Sequence, residues 1–523
     1  MLLRFSVCTV LCAIILAVYY RPQPQSPTQF NVRGTRNKTA LFIVTEHHGY
    51  SNVHLATAQS ILERYPDIQI HFASFPALSS KIADISSATK RRQPLARDVV
   101  FHHLHGRSYM EAILQELKLI GLGIRDDGSA GTLAKPGIEG LDKLAQIMEY
   151  AFSPWTPEEQ LAIHDQITSI IAEIDPATIV LDTIFSPAIE ATRGRNRSHV
   201  IITPNTLSDT FVALQPYGGM FGSIPRSGYP FPVPWHLVPR NAYLSFKLIY
   251  SFLKMRSIAA KRSFLQAHGV VNPLDFFHIQ HNDVPWITQT MPEASTPMDF
   301  VPANVTCAGP ITLSPSRAQD IDAEIVSWMK QKPTVLVNLG TAVVYSAKQT
   351  MEMIGAIAQV LEHSDVQVLW KYKIADEIAS DFDWRAAMKQ ITYTGRVMVN
   401  TWLTIDPPTL LQSGFITAFV THGGAGGFHE SLEAGVPTVV LPPWADCFNL
   451  AQLTEQLGVG HWGCREISPD FEPQCLSKAI LGLLDDTPET VAMRARVKKL
   501  SEMAKQAPGR DKAADIVAKM AVL

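Results

Sequence analysis

The sequence predicts an α/β chain of two doubly wound, Rossmann-like domains that face each other across a ligand cleft. Three observations carry this. The chain has 523 residues, and hydrophobic cores usually serve domains of ~100–200 residues. Short apolar runs of strand length alternate with helical periodicity in two separate series, the pattern of mostly parallel, covered sheets. The segment "VTCAGPITLSPSRAQ" between the series has the composition of a linker. Hydrophobic residues make up 46%, charged residues 18%, and the net charge is -3. A globular chain is implied, and no basic footprint for nucleic acid is present.

The elements follow in order. "MLLRFSVCTVLCAIILAVYYRPQPQSP" opens with Arg4 and an uncharged apolar run from Phe5 to Tyr20. Leu2 and Leu3 extend it toward the ~20 residues a membrane span needs. No convincing small-residue cut site follows Ala17. The expectation is an uncleaved, single-pass signal anchor with a stalk over residues 1–30, in the endoplasmic reticulum membrane; a cleaved signal is the alternative. Sequons at Asn37, Asn196 and Asn304 fit a lumenal body, whereas Arg21, Arg33, Arg36 and Lys38 after the run favour the opposite orientation.

"TALFIVTEHHGY" reads as a buried strand and a polar turn. "SNVHLATAQSILERYP" reads as a helix capped by Ser51 or Asn52. "IQIHFASFP", "VVFHHLHG", "ATIVLDTIF" and "HVIITPNT" read as further buried strands. "YPFPVPWHLVP" is rich in proline and aromatics. "AYLSFKLIYSFLKMRSIAAKRSFLQAHG" after it is helical, basic and apolar, a wall for an apolar pocket, a membrane-surface helix or a plain packed helix. The second series comprises "TVLVNLGT", "VQVLWKYK", "RVMVNTWL", "TAFVTHGG" and "TVVLPPW". The predicted divisions are a first domain over 31–302, a linker over 303–332, a second domain over 333–489 and a terminal helix over 490–523. Cys307, Cys447, Cys464 and Cys475 lack CxxC spacing, so free buried thiols are expected, with one Cys464–Cys475 bridge as the alternative.

Chemistry concentrates in "FVTHGGAGGFHESLEAGVPTVVLPPWADC", residues 419–447. A strand ends in glycines and a helix begins, so free backbone N–H groups and the positive helix end meet at one turn. Gly426 and Gly427 leave room for a phosphate. His422 can donate to a phosphate oxygen, and Glu430, about one helical turn on, suits a ribose hydroxyl pair. Phosphate and ribose together describe a nucleoside diphosphate.

These residues resemble the C-terminal signature of the UDP-glycosyltransferases, a family of GT-B fold. Thr421-His422-Gly423-Gly424, Gly426-Gly427, Glu430, Gly435-Val436-Pro437 and Pro442 to Cys447 follow the family's order. Trp402, in "VNTWLTIDPPTLL", takes the position of the tryptophan that stacks on uracil; the family's following proline and glutamine are absent. Gly340 and Thr341, in "LVNLGTAV", match its phosphate-contacting loop. The resemblance implies a fold of two facing Rossmann-like domains. It implies that His422, Gly424, Gly426 and Gly427 serve the diphosphate, Glu430 the ribose and Asp446 the sugar hydroxyls. Cys447 stands where many glucosyl-transferring relatives have glutamine. The implied reaction is inverting transfer of a hexose from a UDP-sugar, the co-substrate, to a hydroxyl of an apolar small molecule. No cofactor, metal or nucleic acid is expected.

The acceptor side departs from the family. Its G-H-x-x-P element carries the general base, yet in "GYSNVHLATAQSIL" Tyr50 holds the histidine position and Val53 the proline position. His54, one turn later, and His48, two residues earlier, are the candidate bases, with Asp182 matching the orienting aspartate. A core-facing His54 is the plain alternative. Tyr50 also motivates a second reading, a non-catalytic UDP-sugar-binding or accessory subunit. The D-x-D of Asp381 and Asp383 reads as a helix start and "HHLH" at His102–His105 as strand chemistry, neither as a metal site.

Overall fold

The computed structural model describes residues 37–126, 128–216, 227–275, 284–314, 318–374 and 382–522. The N-terminal run expected to anchor the chain lies outside them; among the described residues no helix is long and apolar enough to cross a membrane.

The first series folds as β1 (Thr39–Ile43), β2 (Gln69–Ser74), β3 (Val100–His103), β4 (Thr178–Leu181), β5 (His199–Thr203), β6 (Trp286–Thr288) and β7 (Val305–Cys307). All pair in parallel, in the order β3-β2-β1-β4-β5-β6-β7. The second comprises β8 (Thr334–Asn338), β9 (Gln367–Lys371), β10 (Val397–Asn400), β11 (Ile416–Thr421), β12 (Thr438–Val440) and β13 (Gly460–Trp462), again parallel, in the order β10-β9-β8-β11-β12-β13. The central strands are apolar on both faces because helices cover both: β1 and β8 are buried along their whole length.

Nine helices position the argument below. They are α1 (His48–Arg64), α2 (Ser79–Arg92), α3 (Tyr109–Leu119), α4 (Leu141–Ala151), α5 (Val238–Leu253), α6 (Ala425–Ala434), α7 (Ala445–Leu457), α8 (Pro488–Gln506) and α9 (Gly509–Val522). One core face of the first sheet joins Phe42, Ile70 and Val180 to Val53 and Ile61 of α1, and the other joins Leu41, Ile179 and Ile201 to Trp155 and Phe185. In the second sheet Val335, Val337 and Trp370 face one way and Leu336, Leu369 and Phe419 the other.

Several expectations need correction. The helix expected to start at Ser51 or Asn52 starts at His48, because Tyr50 N and Ser51 N already bond to His47 O. The "VVFHHLHG" strand, β3, is not buried: it is an edge strand with one neighbour, and Val100 is exposed. The expected linker contributes β7 to the first sheet, and Ile325, Val326 and Met329 sit in the second domain's core. Of the C-terminal region, α8 stays on the second domain, packing Val497 and Leu500 against Leu432 and Val459. Only α9 crosses back, burying Ala513, Ala514 and Val517 against Ala40 and Ala56. Cys464 and Cys475 form a disulfide, since the crossover after β13 folds back and brings their Cα atoms to 5.2 Å. Cys447 is a free, buried thiol.

Candidate active site

In a doubly wound sheet a cleft opens at the carboxyl ends of the strands where the order reverses. Here the reversals lie between β1 and β4 and between β8 and β11. The segments that follow these strands carry His48, at the start of α1, and Asp182 on one side and Gly340, Thr341 and His422 on the other.

On the donor side, β11 ends at Thr421 and α6 begins at Ala425. Gly424 occupies the cap position and offers no side-chain acceptor to the first helical N–H groups, which leaves the positive helix end open to an anion. The glycines do different work. A Cβ on Gly424 would lie 2.4 Å from His422 Nε2, and one on Gly340 would lie 2.7 Å from the same ring, so both make room for the imidazole. Gly423 turns through φ 79°. Gly427 packs against Thr421 and Phe419, whereas Gly426 has only Glu430 Oε1 nearby, at 3.7 Å. Burial, with the charges of Lys371 and His47, pushes the His422 pKa down to about 4. Burial, Asp406 and Glu433 push Glu430 up to about 8, opposed by Lys81.

Lys371, at the end of β9, donates to Gly340 O at 3.1 Å and lies over the Trp402 ring, 4.5 Å from its centroid. Lys373 donates to Thr341 O at 2.9 Å. Two lysines thus hold the loop that follows β8. Burial and the charges of Lys373 and Lys81 draw the Lys371 pKa down to about 8. Asp446 stands in the first turn of α7. Cys447 beside it is buried, and burial raises its thiol well above the usual range, so the thiol is not presented to the cleft as a glutamine amide would be.

On the acceptor side two carboxylates are committed to backbone. Glu46 accepts from Met110 N at 2.7 Å and Tyr109 N at 3.3 Å, at the start of α3. Asp182 accepts from Phe185 N at 2.6 Å, Ile184 N at 2.8 Å and Thr45 N at 3.3 Å, tying the end of β4 to the end of β1. His54 corrects the expectation made of it. Its ring is 0% exposed, lies edge-on to Phe42, and joins Tyr50 O through Nδ1 at 2.9 Å. Burial lowers its pKa against the opposing charge of Asp182. No acceptor hydroxyl can reach it in this packing.

His48 is instead paired at Nδ1 with Lys81 Nζ of α2, at 2.8 Å. Burial and the charges of Lys81, His47 and Lys371 push its pKa down to about 4. His47, at about 4 through burial alone, folds over Gly49, where a Cβ would lie 2.9 Å from its ring. Lys81 feels Asp406 and Glu430 from the opposite domain, so the two halves meet electrostatically here. His47, Lys81 and Lys371 were missed by motif reading. The available signal was a lysine closing an otherwise apolar strand at its carboxyl end in "VQVLWKYK".

Of the remaining motifs, His102 Nε2 meets His71 Nδ1 at 2.8 Å across β2 and β3, and Asp383 caps a helix through Ala386 N at 3.0 Å; Asp381 lies outside the described residues.

Two parallel α/β domains thus face each other across a cleft, with an open helix end on one and histidine and lysine on the other. The family model described as UDP-glucoronosyl and UDP-glucosyl transferase matches residues 244–499. The glycosyltransferase sdnJ of Sordaria araneosa is 31% identical over 443 residues, 82% of this chain and 84% of that protein. A sterol 3-beta-glucosyltransferase of Komagataella phaffii is 27% identical over 217 residues, 40% of this chain and 16% of that longer protein. In fold, the chain is similar to a UDP-glucosyltransferase from Polygonum tinctorium, with a TM-score of 0.59 and 18% identity over 92% of this chain and 98% of the other. The chain belongs to the UDP-glycosyltransferase family; it is an enzyme of GT-B fold that uses a UDP-sugar donor and a small-molecule acceptor.

Proposed function

We propose that the enzyme moves a hexose from a UDP-sugar to a hydroxyl of an apolar small molecule, a sterol, lipid or secondary metabolite, with inversion at the anomeric carbon. The observation that carries this is the open N-terminus of α6 between His422 and Glu430, faced across the cleft by the Lys81–His48 pair. The diphosphate lies against the N–H groups at Gly424–Gly427, His422 and the Gly340-Thr341 loop. Glu430 takes the ribose hydroxyls, Trp402 stacks on uracil and Asp446 holds the sugar. As the acceptor oxygen bonds to the anomeric carbon, the bond to the diphosphate breaks and its electron pair leaves with UDP. The helix end, Lys371 and Lys81 stabilise that charge where it develops, so the reading requires no metal ion.

His48 and His47 are the acceptor-side histidines bordering the cleft, and both are neutral at pH 7. A Lys81 ammonium donating to His48 Nδ1 places the His48 proton on Nε2. That favours His47 as the group that takes the acceptor proton, with His48 and Lys81 as its electrostatic partners. An apolar acceptor is supported by the relative named for a sterol. It is also supported by the aromatic segment that crosses to the donor domain, where Phe231 N donates to Gln456 Oε1 at 3.3 Å. An oxidising lumen fits the Cys464–Cys475 bridge. We read the N-terminal apolar run as the anchor to that compartment's membrane.

The test is UDP release and sugar transfer by the purified chain with UDP-glucose and a panel of sterols and phenols. His47→Ala is expected to lower kcat by ~10²-fold, the scale of general base catalysis, and His54→Ala to leave kcat nearly unchanged. Tight UDP binding without release or transfer to any acceptor sinks the transfer reading. An unchanged kcat in His47→Ala sinks the base assignment.

A further inference from the structure

Helix α5 packs one side against α4 and leaves the other open. At about 100° per residue, Tyr243, Phe246, Ile249, Tyr250 and Leu253 fall within a single arc of roughly 120°. All five are exposed, Phe246 at 63% and Leu253 at 68%. Soluble surfaces scatter large apolar side chains singly; a continuous stripe along a helix calls for a covering surface. Phe246 and Tyr250 stack on one another, 6.4 Å between ring centroids, so the stripe is continuous along the helix.

Its flank is basic. Arg240, Lys247 and Lys254 recur every seven residues and so fall on one line beside the stripe. Lys247 reaches Asp142 of α4 at 2.5 Å, and Lys254 lies 4.6 Å from the Tyr250 ring centroid. The charge is not local chance: the chain carries no acidic residue between Asp209 and Asp275, although its net charge is -3. On a second copy the helix itself therefore brings no carboxylate to these cations, and Asp142, the carboxylate bonded to the row, is already paired with Lys247. A bilayer with anionic headgroups offers both an apolar layer for the stripe and negative charge for the row beside it.

We propose that the outer face of α5 docks the acceptor-binding domain on an anionic lipid surface, with the apolar stripe at the headgroup–acyl boundary and Arg240, Lys247 and Lys254 at the headgroups. The inference stands on this helix and not on the transfer chemistry.

An environment-sensitive dye on Ile249→Cys in the full chain reads the contact directly, with a dye on Val491→Cys of α8 as the control. Vesicles of phosphatidylcholine with phosphatidylserine should blue-shift the dye at 249, brominated acyl chains should quench it, and added salt should weaken both; the dye at 491 should not respond. The double change Phe246→Glu with Leu253→Glu should abolish the shift, and Arg240→Glu with Lys254→Glu should weaken it at least tenfold in lipid titration. An unchanged far-ultraviolet circular dichroism spectrum and thermal midpoint in both certify their fold. An unshifted dye with anionic vesicles overturns the proposal, as does an equal response to phosphatidylcholine alone. A shift without vesicles also overturns it: one that grows with protein concentration assigns the face to a second copy, and one independent of concentration assigns it to the chain's own N-terminal run.

Discussion

Glu430 stands where its charged form is disfavoured, with Lys81 opposing. A glutamate in an unfolded chain titrates near 4.3, whereas burial, Asp406 and Glu433 push this one to about 8. Between those values the folded state keeps a proton that the unfolded state has lost, so stability falls as pH rises. Ligand-free Glu430→Gln should therefore melt higher than the parent at pH 8, by an effect on the order of a few kcal/mol at most, and the gap should close by pH 5. The same substitution should weaken UDP binding by ~10–100-fold if a charged hydrogen bond to ribose is lost. Lys371 runs the other way. Held at about 8 in the free enzyme, it is available as an ammonium to a diphosphate below that pH. The donor KM should rise above pH 8 by up to about tenfold per pH unit, the slope of one linked proton. In Lys371→Met the KM should be high, and its rise above pH 8 should be gone. The motif residues of the donor domain were legible because their pattern is local: a strand, a glycine turn and a helix start follow one another within a few residues. Lys371 and Lys81 were not, because a lone lysine acquires meaning only from what folds beside it.

At the scale of elements, the alternation of apolar runs and helices exposed the strands but not their places in the sheets. "VVFHHLHG" has the composition of a buried strand, and only the pairing order makes β3 an edge. "VTCAGP" looks like linker because a strand as short as β7 has no periodicity to display. The spacing of Cys464 and Cys475 left their bridge only an alternative, because the turn after β13 that brings them together has no local signature. Closing a loop of sequence separation 11 should contribute about 3 kcal/mol by restricting the unfolded chain. Cys475→Ser should accordingly lower the denaturant midpoint of the donor domain, and a reductant should lower that of the parent while leaving the variant unchanged.

At the scale of the molecule, the two domains are held by a short return. Helix α9 leaves the donor domain, and Ser60 donates to Asp511 Oδ1 at 2.6 Å and Tyr65 to Asp515 Oδ1 at 2.7 Å, with Arg64 bonded to the same Asp515 oxygen. Gly509 is the crossing point: a Cβ there would lie 2.4 Å from the carbonyl oxygens of both Gly309 and Pro310. Backbone cannot yield as a flexible side chain can, so Gly509→Ala should cost ~1–3 kcal/mol, the range for overpacking. Hydrogen exchange should show α9 amides opening first, ahead of the sheets, and donor KM and kcat should change together as the cleft loses its set width.

The sequence by itself determined the two α/β domains, the glycine turn at Gly423–Gly427 that opens a helix, and the departure at Tyr50. All of these follow from local pattern, because strand periodicity, glycine freedom and helix ends act over a few residues. Only the tertiary structure decided that His54 is sealed in the core while His47 and His48 border the cleft. His48 and His54 leave α1 in directions about 120° apart, and which of them is inward depends on the sheet beneath. It decided as well that Lys81 of one domain answers Glu430 of the other, since electrostatic partners across a cleft are separated in sequence by most of the chain.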